Sequence, residues 1–325
     1  MKIVMIGEAA RHQAEIARGL SEPASFVALP RAAQDAADWD DRIEGADVLV
    51  AMRLQRTGQA PRVQLLQLPG AGLDGIDLGV LPEDCRVCNV FEHEIPMAEY
   101  ALACLLDHEV RLGEARATFD SQRWSQAYLG RQPRGELHGK TLAILGFGRI
   151  GQAVAQRARA FGMRILAVTR SARSGQLPTG ADAALPPAAL DEALGLADYV
   201  VLACPLDERT RGCFGTAQFA AMRPHAVLLN LARAAVVDED ALYAALVERR
   251  IAKAYLDVWY RYPSGEDDQV APARQRFEDL ENAFCTPHIS GWTQGLFARR
   301  YAFIAANIER LRRGEPLLNQ VQGPR

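Results

Sequence analysis

The segment LAILGFGRIG, Leu142 to Gly151, decides the fold that this sequence predicts. Its apolar run ends in the pattern Gly146-x-Gly148-x-x-Gly151 and leads directly into RIGQAVAQRARAFG, a stretch with helical periodicity. In a strand, turn and helix of this kind, Gly146 allows the tight turn, Gly148 lets phosphates approach the backbone, and Gly151 lets the helix pack closely on the strand. Because the unpaired N–H groups at the helix start attract an anion, the segment predicts a site for the pyrophosphate of a dinucleotide.

The composition is that of an ordinary globular protein with room for two hydrophobic cores. The chain has 325 residues, of which 49% are hydrophobic and 24% charged, and its formal net charge is -3. This mildly acidic balance argues against nucleic acid as a partner, and no apolar run reaches membrane-spanning length. The apolar part of the opening MKIVMIGEAA is too short for a signal peptide, so we expect a cytoplasmic protein without a membrane partner.

The cysteines predict reduced structural thiols. They are scattered through the chain, at Cys85, Cys88, Cys104, Cys204, Cys213 and Cys285. Cys85 and Cys88 form the only close pair, and a zinc ribbon would need a second CxxC. The run CRVCNV reads as a strand, which places its two sulfurs on opposite faces. We therefore expect no metal site and no disulfide framework.

Short apolar runs alternate with amphipathic or polar connectors, and this rhythm predicts parallel α/β sheets. In the first hundred residues the predicted strands are KIVMI, SFVAL, ADVLVAM, VQLLQL and RVCNV. From Gly139 onward they are TLAIL, RILAV, DYVVLAC, AVLLNL, KAYLDVW and AFCTP, with a loop containing Pro178, Pro186 and Pro187 after the second. We therefore predict an α/β protein with two doubly wound parallel-sheet domains.

Two long helices are expected outside this rhythm. Ile95-Pro96 opens the helical stretch MAEYALACLLDHEVRLGEA, which we interpret as the bridge between domains. Its apolar face could be a dimer surface or could pack between the domains. A second helix, from about Gln294 to Leu311, follows the last strand and is expected to cover the first domain. The predicted domains are therefore residues 1–96 with 292–325, and residues 97–291.

The end of the strand RILAV bears on the choice of dinucleotide. Many dinucleotide-binding proteins hold an acidic residue there for the ribose 2′-hydroxyl. This chain instead has Thr169, Arg170 and Ser171, with Arg173 close behind. A carboxylate would repel a 2′-phosphate, whereas Arg170 would attract one. The segment favours NADP over NAD, and the alternative is a solvated surface loop.

Four segments, in this order along the chain, resemble the D-isomer-specific 2-hydroxyacid dehydrogenase family. They are LPGAGLDGIDL (68–78), ELHGKTLAILGFGRIGQAVAQRARAFGM (136–163), LLNLARAAVVDEDAL (228–242) and TPHISG (286–291), with weaker support from CPLDERTRG (204–212) and LDV (256–258). The resemblance implies a flavodoxin-like substrate domain, a Rossmann cofactor domain and a homodimer. It also implies hydride transfer from NAD(P)H to a small 2-oxo acid, as in glyoxylate and hydroxypyruvate reductases.

Two residues match the catalytic positions of this family. Arg233, in NLARAAVV, matches the arginine that binds the substrate carboxylate and polarises the ketone, a task that suits the forked guanidinium. His288, in TPHISGW, matches the acid-base histidine, because imidazole exchanges a proton near neutral pH. The resemblance therefore implies that His288 delivers a proton to the substrate oxygen as hydride reaches C2.

The third catalytic position departs from the family pattern. The family has a glutamate five positions after the aspartate of LDV, followed by proline, and this chain has Tyr262 there, followed by Pro263. Without that carboxylate, the histidine lacks the group that orients it and raises its pKa. One of Glu266, Asp267 and Asp268 could take that role, or all three could belong to a solvated acidic loop.

The resemblance also implies contacts to both ligands. The turn of Gly70, Ala71 and Gly72 would hold the substrate carboxylate with backbone N–H groups, and Trp292 would form a wall that favours a compact substrate. The predicted cofactor contacts lie in the glycine segment and at the ends of the later strands: Gly146, Gly148, Arg149, Ile150, Gly151, Thr169, Arg170, Ser171, Cys204, Pro205, Thr210, Leu231, Ala232, Asp257, His288 and Gly291.

Two other functions remain open at this point. Formate dehydrogenases of the family also lack the glutamate, so an NAD-dependent dehydrogenase of formate, phosphite or a similar anion is one alternative. Their asparagine-containing loop is not recognisable near CNVFEHEIPMAEY. The C-terminal-binding corepressors resemble the enzymes closely, so a non-catalytic protein that senses dinucleotides is the other.

Overall fold

The computed structural model describes residues 1–56, 58–172, 177–263, 265 and 268–324. Contacts divide the chain into two compact units: the first contains Met1–Glu92, Pro263–Val270 and Thr293–Arg325, and the second contains His93–Tyr262 and Ala271–Trp292. The segment 263–270 therefore groups with the first unit, whereas the predicted boundaries leave it in the cofactor domain. One cause is a hydrogen bond of 2.9 Å from Arg31 Nη1 to the Pro263 carbonyl.

The first unit is built on a six-stranded sheet. Its strands are β1 (Lys2–Ile6), β2 (Ser25–Leu29), β3 (Val48–Val50), β4 (Leu65–Gln67), β5 (Arg86–Cys88) and β13 (Gln320–Gln322). The order is β13-β5-β4-β3-β1-β2. The five predicted strands all form and pair in parallel, in the order typical of flavodoxin-like folds. Strand β13 pairs antiparallel with β5, and its short polar sequence gave no strand signal.

Three helices complete the first unit: α1 (Gln13–Arg18), α2 (Asp40–Ile43) and α10 (Gln294–Arg312). Helix α10 covers this sheet as predicted, with Ile304 and Ile308 packed in the same core as residues of β1. Its fully buried Asn307 donates to Gln67 Oε1 at 2.8 Å and accepts a hydrogen bond from the Leu318 N–H at 2.8 Å. This network joins the helix, β4 and the segment that leads to β13.

The second unit has a seven-stranded parallel sheet. Its strands are β6 (Thr141–Leu145), β7 (Arg164–Val168), β8 (Ala183–Leu185), β9 (Tyr199–Leu202), β10 (Val227–Asn230), β11 (Lys253–Leu256) and β12 (Ala283–Cys285). The order β12-β11-β10-β9-β6-β7-β8 is that of a Rossmann fold with one added strand. The interpretation of residues around Pro178 and Pro186 as loop alone is wrong, because β8 lies between them. Three half-buried residues at a sheet edge, two of them alanine, carry little strand signal.

The helices of the second unit are α3 (Glu94–Val110), α4 (Leu112–Ala117), α5 (Trp124–Leu129), α6 (Arg149–Ala160), α7 (Leu190–Leu196), α8 (Thr216–Ala221) and α9 (Glu239–Val247). The predicted helix after Pro96 forms but is not continuous, because Arg111 has φ of 52° and separates α3 from α4. The apolar face of α3 packs with α6 in the core of this unit, through residues that include Ala98, Ala101 and Val154.

No helix in the described ranges has the length and apolar character that a membrane span requires.

The cysteines are free thiols, and none of the six forms a disulfide. Cys85 belongs to the core on one face of the first sheet, and Cys88 to the core on the other face, as the strand pattern predicts. Desolvation raises the pKa of Cys85 to about 11 and that of Cys88 to about 12. Both are therefore uncharged core residues at neutral pH, which suits a structural role.

The three glycines after β6 differ in what the surrounding protein requires of them. Gly146 has φ of 95°, and a Cβ there would lie 2.5 Å from the backbone nitrogen of Cys204. A Cβ on Gly151 would lie 2.3 Å from the Gly146 carbonyl oxygen. A Cβ on Gly148 would meet no protein atom within 4 Å. Packing inside the chain therefore explains Gly146 and Gly151 but not Gly148.

This difference predicts opposite effects of one substitution on stability. Gly146→Ser should lower the free energy of unfolding by more than about 2 kcal/mol, because it combines a left-handed φ with a backbone clash. Gly148→Ser should change it by less than about 0.5 kcal/mol, since serine suits the residue that precedes a helix. Urea denaturation of the two variants measures both values. Equal destabilisation would show that packing also requires Gly148.

Candidate active site

The carboxyl ends of the parallel strands in the second unit share one edge of the sheet, where open α/β sheets bind their ligands. The residues predicted for the site follow six of these strands. They are Gly146–Gly151 after β6, Thr169–Ser171 after β7, Cys204 and Pro205 after β9, Leu231–Arg233 after β10, Asp257 after β11 and His288 after β12. The topology therefore collects these residues at one edge.

Helix α6 begins directly after the glycine turn. Gly148 precedes its first residue, so the N–H groups of the first helical turn have no partners within the helix. Ile150 is half-buried and packs against the core of this unit. Arg149 forms an ion pair with Glu94 of α3, with Nη1 and Oε1 separated by 3.7 Å. The turn thus presents backbone N–H groups to an anion, while a carboxylate partly balances the charge of Arg149.

The segment after β7 carries two hydroxyls and an exposed arginine. Thr169 Oγ1 lies 3.1 Å from Ser171 Oγ, and the Ser171 N–H donates to the same Thr169 oxygen at 3.4 Å. The backbone N–H of Arg209 is the main cause of a lowered pKa at Asp207, and the charge of Arg170 contributes to it. Arg170 is thus close enough to influence the loop after β9.

Thr210 holds the loop after β9 in shape. Its hydroxyl donates to the Pro205 carbonyl at 2.7 Å and accepts a hydrogen bond from the Asp207 N–H at 2.8 Å. Cys204 is buried, and desolvation raises the pKa of its thiol to about 12. This loop therefore has a fixed shape beside Gly146, and its cysteine is not a nucleophile at neutral pH.

Asn230 organises the turn that carries Arg233. Its buried side chain accepts a hydrogen bond from the Ala232 N–H at 2.9 Å and donates to the Arg233 carbonyl at 3.0 Å. The Arg233 guanidinium in turn donates to the Ala232 carbonyl at 3.0 Å. Leu231 and Ala232 are buried, with 1% and 5% of their surface exposed, and their contact with the cofactor stays a prediction.

Asp257 is fully buried and binds the segment that carries His288. Its Oδ1 accepts hydrogen bonds from the Thr286 hydroxyl at 2.6 Å and the Ile289 N–H at 2.7 Å, and its Oδ2 accepts one from the Ser290 N–H at 2.8 Å. The sequence predicted that Asp257 contacts the cofactor. The structure shows that the carboxylate has no exposed surface and holds a loop of its own chain, and its contact with the cofactor stays a prediction.

His288 lies in a turn with a restricted backbone. Its N–H donates to the Thr286 carbonyl at 3.0 Å across Pro287, and its φ is 58°. Few residues other than glycine adopt this left-handed conformation, and such residues concentrate at functional sites. His288 as a whole residue is exposed to solvent, whereas its ring is partly desolvated by the surrounding protein. The turn therefore presents this residue at the surface while the contacts of Asp257 fix the backbone beside it.

Tyr262 stands where the family has its glutamate, and it contacts His288 directly. Its hydroxyl oxygen lies 2.8 Å from His288 Nδ1 and accepts a hydrogen bond from the Trp259 N–H at 3.0 Å. The indole N–H of Trp259 donates to the Thr286 carbonyl at 2.9 Å. A neutral phenol therefore contacts the ring nitrogen that a carboxylate was expected to hold.

Arg233 acts electrostatically on both members of this pair. Desolvation lowers the pKa of His288 from its ordinary value, Asp257 opposes this effect, and Arg233 adds to it. Desolvation raises the pKa of Tyr262, against smaller opposing effects of the Trp259 N–H and Arg233. The charge of the guanidinium thus acts on both rings. At neutral pH the phenol of Tyr262 is protonated, and the imidazole of His288 is neutral in most molecules.

The other acidic candidates are less informative. Glu266 and Asp267 lie outside the described residues, as does Arg173. Asp268 Oδ1 accepts a hydrogen bond from the Val270 N–H at 3.2 Å. Within the part of the chain that the structure describes, no group of three or more His, Cys, Asp or Glu residues could hold a metal ion.

In the first unit, Ala71 and Gly72 lie in the turn after β4. The Ala71 carbonyl accepts a hydrogen bond from the side chain of Asn89 at 2.9 Å, and the Gly70 carbonyl accepts one from the Val90 N–H at 3.1 Å. These bonds fix the turn at the carboxyl end of that sheet. Because these bonds use the carbonyl groups, the contact of the Ala71 and Gly72 N–H groups with a substrate carboxylate stays a prediction.

Trp292 ends the segment that carries His288. Its N–H donates to the Ile289 carbonyl at 2.9 Å, which closes a turn containing Gly291. Its side chain is 53% exposed and that of Ile289 is 44% exposed. Two large apolar side chains are therefore exposed within four residues of His288.

Several supporting residues were not identified from the sequence. Tyr100 lies with its hydroxyl 2.7 Å from Thr286 Oγ1, and because that oxygen donates to Asp257, Tyr100 is the donor. Trp259 and Asn230 were not predicted either. A polar residue ending a buried strand could have indicated Asn230, but the partners of Trp259 and Tyr100 lie 27 and 186 positions away.

Comparison with known proteins agrees with this arrangement. The family model described as "D-isomer specific 2-hydroxyacid dehydrogenase, NAD binding domain" matches residues 102–290. Glyoxylate reductase of Thermococcus gammatolerans is 33% identical over 290 residues, which are 85% of this chain and 82% of that protein. Glyoxylate reductase of Pyrococcus furiosus is 32% identical with the same coverage.

A solved structure supports the same relationship. It is that of a D-isomer specific 2-hydroxyacid dehydrogenase family protein from Aeromonas salmonicida, with a TM-score of 0.77 and 26% sequence identity. The match covers 99% of this chain and 98% of that chain. From the glycine turn, the Rossmann strand order and these similarities together, we conclude that the chain belongs to the D-isomer-specific 2-hydroxyacid dehydrogenase family and is an NAD(P)-dependent dehydrogenase.

Proposed function

We propose that this enzyme reduces a small 2-oxo acid, of the size of glyoxylate or hydroxypyruvate, to the D-2-hydroxy acid. The observation that carries the proposal is that Arg233 after β10 and His288 after β12 share the carboxyl edge of one parallel sheet, where the guanidinium contributes to the lowered pKa of the imidazole. One cation that binds an α-carboxylate and one proton donor next to it are the groups that this reduction needs.

In the proposed reaction, the Arg233 guanidinium binds the substrate carboxylate with two parallel hydrogen bonds and polarises the adjacent carbonyl. The nicotinamide cofactor, when bound, supplies the hydride that adds to C2 of the substrate. Protonated His288 gives its Nε2 proton to the carbonyl oxygen, so that the C=O double bond becomes C–OH and the imidazole becomes neutral. The hydrogen bonds of Asp257 keep the histidine backbone in place during this transfer.

The relatives and the exposed side chains support a small substrate. Two relatives of the chain are named glyoxylate reductase. Trp292 and Ile289 are exposed close to His288 in sequence, and bulky groups there would leave room for a compact 2-oxo acid. We further propose that Ala71 and Gly72 offer N–H groups to the substrate carboxylate.

For the cofactor, we propose a preference for NADP. The described segment after β7 has two hydroxyls and the exposed Arg170, and no carboxylate occupies Thr169 to Ala172. A guanidinium binds a 2′-phosphate well, and an acidic residue that would repel it is missing from these positions. The N–H groups around Gly148 would bind the pyrophosphate of NADP and NAD alike.

We also propose a homodimer that forms through an aromatic segment, residues 112–129. Its exposed apolar side chains are Leu112 (72%), Phe119 (64%), Trp124 (51%), Tyr128 (48%) and Leu129 (81%). Monomeric proteins rarely expose so much apolar surface in one place. The other candidate surface, the helix after Pro96, packs in the core of the second unit, so the aromatic segment is the better candidate for the dimer surface.

A cytoplasmic location remains a prediction, supported by six cysteines that form no disulfide.

Activity with 2-oxo acids tests the proposed reaction. Oxidation of NADPH should be observed with glyoxylate, hydroxypyruvate or pyruvate. His288→Asn should lower kcat about 10²–10⁴-fold, because asparagine tolerates the left-handed backbone but cannot transfer the proton. Equal thermal midpoints of the variant and the parent protein would exclude misfolding.

Other results of the same assay would replace the proposal. Reduction of NAD by formate or phosphite, without activity on any 2-oxo acid, would identify a dehydrogenase of those anions. Calorimetric binding of dinucleotide without turnover, unchanged in His288→Asn, would identify a non-catalytic sensor.

The cofactor preference predicts a selective loss. Arg170→Ser should reduce kcat/KM for NADPH about tenfold or more and leave that for NADH nearly unchanged, since one charge-assisted contact to the 2′-phosphate is removed. Gly148→Ser is the matched control and should impair both cofactors. Equal losses with the two cofactors in Arg170→Ser would contradict the proposed preference.

The aromatic segment predicts a change of oligomeric state. Size-exclusion chromatography with light scattering should give twice the 35.6 kDa chain mass for the parent protein and a lower mass for Leu129→Glu. Val247→Glu introduces the same charge at another exposed apolar residue, 54% exposed, and should leave the dimer intact. A monomeric parent protein would refute the homodimer.

A further inference from the structure

We propose that Tyr262 is a positioning residue, whose hydroxyl holds the proton of neutral His288 on Nε2. Because the hydroxyl is uncharged, His288 should donate a proton only at lower pH than it would beside a carboxylate. The inference rests on the proposed function, because Nε2 is the atom that would meet the substrate oxygen. It assigns to Tyr262 a role that the family pattern gives to a glutamate.

The hydrogen bonds around the phenol set the direction of its own donation. Tyr262 Oη accepts from the Trp259 N–H at 3.0 Å and lies 2.8 Å from His288 Nδ1. A phenol has one proton to donate, and we assign it to Nδ1, the acceptor that the described residues place 2.8 Å from the hydroxyl. When Nδ1 accepts this hydrogen bond, the proton of the neutral imidazole must be on Nε2.

The phenol remains protonated at neutral pH. Desolvation raises the pKa of Tyr262, and the Trp259 N–H, Arg233 and Asp257 modify this shift without reversing it. Tyr262 therefore acts as a donor to Nδ1 and does not become a phenolate that could replace the missing carboxylate.

The charges that act on His288 come from two residues of its own unit. Arg233 disfavours the imidazolium, Asp257 favours it, and desolvation of the ring disfavours it most strongly. Tyr262 contacts Nδ1 of the ring with a neutral hydroxyl, and the Trp259 N–H donates to that hydroxyl. The pKa of His288 is therefore lowered, and the protonated form declines as the pH rises through a value below that of ordinary histidine.

A carboxylate at position 262 would have the opposite effect. It would accept a hydrogen bond from Nδ1–H and stabilise the imidazolium, which raises the pKa of the histidine by about 1–3. A neutral donor to Nδ1 stabilises the uncharged ring instead. The replacement of glutamate by tyrosine thus changes the pH range in which the proton is available.

The loop should survive changes at position 262. Trp259 still donates from its indole to the Thr286 carbonyl, and Asp257 still accepts from Thr286, Ile289 and Ser290. Tyr262→Phe, Tyr262→Gln and Tyr262→Glu therefore differ mainly in what they offer to Nδ1. Gln has the shape of Glu without its charge, so the pair separates charge from size.

Nitrogen NMR of the full ¹⁵N-labelled chain tests the inference without any substrate. The chain has six histidines, and the signals that disappear in His288→Asn belong to His288. In the parent protein, Nε2 of the neutral ring should carry the proton, and the pKa should lie below about 6.5. The pKa should stay low in Tyr262→Gln, rise modestly in Tyr262→Phe, and rise by about 1 or more in Tyr262→Glu.

Kinetics then connect the titration to the reaction. In the parent protein, kcat for 2-oxo acid reduction should fall with rising pH along the His288 titration. In Tyr262→Glu this fall should move to higher pH by as much as the pKa of His288 rises. A rise of about 1 in that pKa should give about a tenfold gain in relative rate at a pH of about 8, because the protonated fraction of the ring increases tenfold there.

Two results would overturn the role of Tyr262. One is a neutral ring protonated on Nδ1 in the parent protein, and the other is an identical titration of Tyr262→Glu and Tyr262→Gln. Failure of the proposed function looks different, because the NMR titrations would behave as expected while no 2-oxo acid is reduced.

Discussion

The buried carboxylate of Asp257 is the interaction on which the candidate site depends. It accepts three hydrogen bonds from the segment between Thr286 and Ser290, and this segment includes the left-handed turn at His288. A buried charge is costly unless hydrogen bonds compensate it, and here the donors come from the loop that must be held. The same three bonds therefore stabilise the charge and fix the backbone of the histidine.

Around this anchor, the balance of charge differs from the family pattern. Arg233 brings a positive charge near the ring, and Tyr262 brings none to oppose it. The arrangement favours an uncharged histidine at neutral pH. Binding of a carboxylate to Arg233 would weaken the effect of that charge on His288, so substrate itself would favour protonation of the ring.

Much of the fold follows from local sequence, whereas the site depends on distant contacts. Apolar runs located eleven of the strands, and the glycine pattern located the helix start at Gly148. The two missed strands are three residues each and lie at sheet edges, and the helix interruption at Arg111 has no glycine or proline to mark it. The tyrosine at 262 was recognised as a departure, but its contact with His288 spans 26 positions and depends on how two loops pack. The direction of the Tyr262 side chain depends on tertiary packing, which no local sequence pattern encodes.

The return of the chain to its first sheet has a consequence for biosynthesis. Helix α10 and strand β13 belong to the first unit, yet ribosomes make them after the entire second unit. Domains fold as units once their residues have emerged. The first unit therefore cannot complete its fold until α10 has been made, and the sheet face that α10 covers stays exposed to solvent until then. The Rossmann domain is complete in sequence before that point and can already fold. Newly made chains are thus expected to be vulnerable in residues 1–92 until the segment that contains α10 and β13 has emerged.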